Sequence, residues 1–108
     1  MTARQEARFI FTDSKTAPWQ DSKLAKGVAV KNLGKANGRA MQLVRFEPGA
    51  VLPTHKHEGP EFIFMLEGEA IQNGQVLTAG WAGVAETGSA DVLFRSDKGC
   101  LFLLGYAI

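Results

Sequence analysis

Gly49-Ala-Val-Leu-Pro-Thr-His55-Lys-His57-Glu-Gly-Pro-Glu61-Phe-Ile-Phe-Met-Leu-Glu-Gly68 contains the only two histidines in this chain. Strand side chains alternate, so imidazoles at i and i+2 share one face if the backbone is extended. Pro53 favours that conformation by pushing Leu52 into the β region. A carboxylate four residues further on, Glu61, can complete one face of a coordination sphere, and two histidines with one carboxylate form the facial triad of non-haem iron sites. Alternation covers the histidines alone, because Gly59-Pro60 makes a turn before Glu61. Without a further constraint the favoured reading of the same residues is a solvated pair with a surface charge beside it.

Outward from this stretch the chain reads as short strands separated by turn signals. Expected strands are Val28–Leu33, Arg39–Glu47 (apolar enough for burial on both faces), Glu61–Leu66, Ala70–Gln72, Gln75–Leu77, Gly80–Ala85, Asp91–Arg95 and Cys100–Tyr106. Asn73-Gly74 is the best hairpin turn, since both residues tolerate the positive φ of a type I′ loop. Gly88-Ser89 and Asp97-Lys-Gly99 are further breaks. With no long helical period, this pattern predicts an all-β sandwich or small barrel.

The spacing Gly-x5-His-x-His-x3-Glu-x6-Gly resembles the first motif of the cupin superfamily at every fixed position. The resemblance implies a single-domain jelly-roll β-barrel of RmlC-like type, the double-stranded β-helix, and a divalent metal: Fe(II), Zn, Mn or Ni. It also implies that Glu61 joins His55 and His57 on the metal. In the second cupin motif, Gly-x5-Pro-x-Gly-x2-His-x3-Asn, Glu86 takes the proline position, Gly88 is kept, Asp91 takes the histidine position and Arg95 the asparagine. The expected ligand set is therefore His55, His57, Glu61 and Asp91. Three outcomes are open at Asp91: direct ligation, an extra open position on the metal, or weakened binding.

From Pro18 to Tyr106 the order Pro-Trp, Gly-Val-x-x-Lys-x-Leu, Leu-Val-Arg-Phe-Glu-Pro-Gly-Ala, His-x-His, Leu-Glu-Gly, Ala-Gly-Trp and Lys-Gly-Cys-Leu is similar to the ChrR-like cupins. That family includes zinc-binding domains of anti-sigma factors and dioxygenases that cleave diketones and related ketones. The resemblance implies a metal and a small-molecule ligand or substrate. It leaves three functions open: a metal-dependent dioxygenase, a non-catalytic metal- or ligand-sensing module, and a metal-dependent isomerase or lyase of sugar-type substrates.

Met65 and Ile63 share parity with Glu61 and should face inward with it, leaving Phe62 and Phe64 on the outer layer or against a partner. Gln42 and Arg45 have opposite parity, so only one can reach the interior, and Arg45 is expected in a surface salt bridge. Trp81, Phe94, Phe102 and Tyr106 are candidates for the pocket wall, but aromatics at strand spacing are more often core than ligand contacts, and no role is assigned to them.

At 108 residues the chain has room for one core, burying roughly two-thirds of its unfolded surface. Twelve basic and 11 acidic residues give a net charge of +1, which provides no electrostatic footprint for nucleic acid or an anionic membrane. No apolar run is long enough for a signal sequence or a membrane span, so a cytoplasmic location is expected. The lone Cys100 excludes an internal disulfide and reads as part of a core strand. Residues 1–17 are expected to form an arm whose Phe9-Ile-Phe11 pairs at a sheet edge of its own domain or of a partner subunit, with residues 18–108 forming the cupin domain. A homodimer follows as an expectation.

Overall fold

The computed structural model describes residues 8–91 and 93–108, and at His55 and Asp91 it describes the backbone alone. The first seven residues of the expected arm lie outside the described residues. Those described form eleven strands and no helix: β1 (Gln20–Asp21), β2 (Val28–Ala36), β3 (Arg39–Phe46), β4 (Ala50–Leu52), β5 (His55–Lys56), β6 (Glu61–Gln72), β7 (Gln75–Thr78), β8 (Ala82–Ala85), β9 (Ala90–Asp91), β10 (Phe94–Ser96) and β11 (Cys100–Ala107).

All pairings are antiparallel, and β6 belongs to both halves of the curled sheet. Its first half pairs with β11 and β8, its second half with β7 and β10. The first half continues through β11 to β3, β2 and β1; the second continues through β10 to β4. Between the halves Gly68 adopts φ +74°, and a Cβ there would collide with the carbonyl oxygen of Gly99, so this close approach requires glycine. The separate strand expected at Ala70–Gln72 is thus the far end of β6. Gly68 bends the strand without ending it, because both flanks keep ladder partners. The strand expected at Asp91–Arg95 is instead two short pieces, β9 and β10, which pair with different strands, β5 and β4. Asn73 and Gly74 form the expected hairpin between β6 and β7, with φ +49° and +83°.

The core fills one end of the barrel. Phe46, Phe94 and Phe102 meet as three tilted rings with centroids 5.2–5.8 Å apart, and Met65, Ala70, Val44, Leu77 and Cys100 pack around them. Tilted contacts suit the ring quadrupoles better than a face-to-face sandwich. Phe94 and Phe102 are core aromatics, and Cys100 is buried with its thiol pKa raised by desolvation.

Strand β3 departs from the expectation of burial on both faces. Val44 and Phe46 are buried, whereas Arg39, Met41 and Arg45 on the opposite parity are exposed. Part of that outer surface is covered by the segment before β1. Trp19 lies between two cations, with the Arg45 guanidinium 4.2 Å and Lys31 Nζ 4.8 Å from its ring centroid. Lys31 also donates to the Ser14 carbonyl at 2.5 Å. Arg45 therefore stacks on an indole instead of entering the expected carboxylate pair. A weakly hydrated guanidinium gains more over a ring face than an ammonium does.

Candidate metal centre and ligand cavity

The inner-face parity of β6 places Glu61 and Ile63 against a cavity of about 470 Å³ at the open end of the barrel. Met65, the next inward residue, is completely buried below it, while Phe62 and Phe64 point outward, 51% and 45% exposed. The parity expectation for β6 therefore holds along this half of the strand.

Glu61 meets His57 here. The imidazole is buried, lines the same cavity, and turns Nδ1 toward Glu61 Oε2. Sequence alternation could not establish this approach, because the Gly59-Pro60 turn intervenes. The turn itself makes it possible. A Cβ at Gly59 would lie 2.6 Å from Ala107 Cβ, so only glycine lets the chain pack against the end of β11 before re-entering the sheet as β6.

Around His57 the backbone is held on both sides: its N–H donates to Ser89 O at 2.8 Å and its carbonyl accepts from Gly88 N at 2.9 Å. The ladder continues into β5 and β9, where His55 is paired with Asp91 and Lys56 with Ala90. The structure thus places the backbones of His55 and Asp91 directly opposite one another, two residues from His57. Their side chains, half of the expected ligand set, lie outside the described part of the structure.

Asn73 has a second role that its turn signature did not reveal. Its backbone N–H donates to Leu93 O at 2.9 Å, its Nδ2 to Ala90 O at 3.4 Å, and its Oδ1 accepts from Leu93 N at 3.3 Å. The hairpin tip therefore holds the segment on either side of Asp91.

The cavity wall is largely apolar, with Val28, Val30, Val44, Leu52, Ile63 and Leu104 among its members. Among the described residues its lining includes no lysine or arginine, and Glu61 is its only carboxylate. Of the two polar candidates on β3, Gln42 and not Arg45 reaches the interior. Trp81 also lines the cavity while 47% exposed. Sequence reading offered it as a pocket candidate and could assign it no role, because it sits in the turn before β8, where strand parity does not apply; its carbonyl accepts from Met65 N at 2.9 Å.

Residues 7–107 match the family model of the ChrR cupin-like domain. No protein of curated function matches the sequence. In structure the chain is similar to a protein of Methylibium petroleiphilum PM1 described provisionally as an acetylacetone dioxygenase, with TM-score 0.88 and 14% identity over 98% of this chain and 81% of that one. It is similar to an acetylacetone dioxygenase from Acinetobacter johnsonii, with TM-score 0.80 and 12% identity over 99% and 78% of the two chains. A chain of the Rhodobacter sphaeroides complex of SigE with the anti-sigma ChrR gives TM-score 0.75 and 20% identity, over 87% of this chain and 50% of that one. At these identities the likeness establishes the cupin fold.

Proposed function

The chain belongs to the ChrR cupin-like family, and from that premise we propose that it is a metal-dependent oxygenase acting on a diketone or a related ketone or enolate. The observation that carries this reading is the approach of the His57 imidazole to the Glu61 carboxylate on the wall of an otherwise apolar cavity. An imidazole and a carboxylate facing the same space are a donor set suited to a divalent first-row metal, and the His55–Asp91 backbone pair lies next to them. His55, His57, Glu61 and Asp91 would hold the ion as two imidazoles and two carboxylates. Bound there as Fe(II), it would supply oxygen activation and polarise a chelated carbonyl.

The protein's own contribution is enclosure and orientation. Apolar walls exclude water from the bound ketone and strengthen every polar contact made there. For the surface, we propose that a second copy covers Phe62, Phe64 and Val84, which are 51%, 45% and 68% exposed on adjacent strands. Residues 1–17 would act as an arm at that contact.

Elemental analysis of anaerobically purified protein, followed by oxygen-uptake assays with β-diketones, tests the oxygenase. The expected result is near-stoichiometric iron and substrate-dependent uptake, both lost in His57→Ala. Metal retained with no turnover across the panel would instead favour a sensing module, for which the aspartate at position 91 is the motivating feature.

A further inference from the structure

Gln42 is held by a chain of side-chain amides that ends at the cavity rim. It pairs with Asn32 across β2 and β3, and its Nε2 donates to Asn32 Oδ1 at 2.8 Å; Asn32 Nδ2 in turn donates to Gln20 Oε1 at 3.4 Å on β1. The relay orients the Gln42 amide: one Nε2 hydrogen is engaged by Asn32, and Oε1 is left as an acceptor beside the second N–H. No donor among the described residues reaches it.

The row of inner-face residues running across the sheet from Gln42 continues with Leu104, Ile63 and Gly83, so Gln42 is its one polar member lining the cavity. Glu61 stands one inward position from Ile63 on β6, two strands away from β3. Two inter-strand spacings and a two-residue offset along β6 separate these backbones by about 12 Å. The cavity volume of about 470 Å³ falls in the range of roughly 300–1,000 Å³ that takes drug-sized ligands, well beyond a five-carbon diketone.

From this arrangement we infer that Gln42 is a specificity-determining residue: its Oε1 accepts a hydrogen bond from a neutral hydroxyl at the far end of a ligand whose oxygen-bearing head sits at His57 and Glu61. The ligand class is a diketone extended by an apolar or aromatic body that ends in a donor. The inference rests on the diketone reading above, and its test separates the two.

Benzoylacetone and para-hydroxybenzoylacetone differ by the distal hydroxyl alone, and titration calorimetry on zinc-loaded protein measures their binding without turnover. The hydroxylated probe is expected to bind roughly three- to tenfold tighter, the contribution of one well-placed hydrogen bond. Gln42→Leu should reduce that preference to near unity while leaving zinc content within about twofold of wild type. Asn32→Ala, an exposed change that leaves the core intact, should weaken the preference by releasing the amide. Equal binding of the two probes by wild type, or an undiminished preference in Gln42→Leu, overturns the role of Gln42 while the diketone reading stands. Failure of both probes to bind overturns both.

Discussion

Phe46, Phe94 and Phe102 meet ring to ring and close one end of the cavity near a fully buried Met65; further along the same strands Gln42, Glu61 and His57 line it. The same strands build both ends. Strand β3 runs from Gln42 to Phe46 and β6 from Glu61 to Met65, each along one inner face. The change from polar to apolar takes four residues. Cohesion is therefore concentrated where the strands are packed, and the open half is free to carry groups that contribute little to folding.

Several substitutions would break or sharpen that contrast. Phe102→Ala, at the packed end, should cost about 3–5 kcal/mol in urea denaturation, since the ring leaves a cavity its neighbours cannot fill. Gly68→Ala should cost about 1–3 kcal/mol for a side chain in left-handed backbone, plus whatever shift the collision with Gly99 forces. Trp19→Ala, on the outer surface, should lose about 1–2 kcal/mol through its two cation contacts. A double-mutant cycle with Arg45→Ala should show coupling of about 0.5–1 kcal/mol. Glu61→Gln, which keeps an acceptor beside the buried His57, should change the stability of metal-free protein by about 1 kcal/mol, well below Phe102→Ala, while metal content collapses. A loss as large as that of Phe102→Ala would erase the division between the two ends.

Cys100 supplies a pH-dependent marker of the packed end. Burial raises its thiol pKa above the ordinary 9.0, so the folded state holds this proton more tightly than the unfolded chain. Its contribution is complete below the unfolded pKa and is lost as pH rises through the higher folded value. Between about pH 8 and about pH 10 the urea midpoint of wild type should fall more steeply than that of Cys100→Ala. Slow alkylation of the folded protein at neutral pH should accompany it.

How far the sequence could be read differs between the same two ends. Periodicity identified the inward residues of β6, and Asn73-Gly74 announced the hairpin through its backbone chemistry. Glycine spacing and family resemblance narrowed a generic β-barrel to the cupin jelly roll. The approach of Glu61 to His57 was not legible from alternation, because it depends on how closely Gly59 packs on Ala107, a contact between residues distant in the chain. The clamp made by Asn73 was missed, and Trp81 could be given no role, because both act from turns, where no period carries information. Arg45 was expected to find a carboxylate, but Trp19 reaches it by folding back across the outer face, which no local pattern encodes.

Strand β11 is the last of the eleven and lies between β3 and β6, both formed from much earlier sequence. Non-local closure of this kind is slow, on the order of milliseconds to seconds for small all-β domains. Until β11 inserts, β3 and β6 each present an unpaired ladder edge, the state most open to pairing with another chain. Phe102 and Leu104 of β11 also form part of the cavity wall. Ligand binding during refolding should therefore appear in the final kinetic phase, and a ligand present from the start should speed none of the earlier ones.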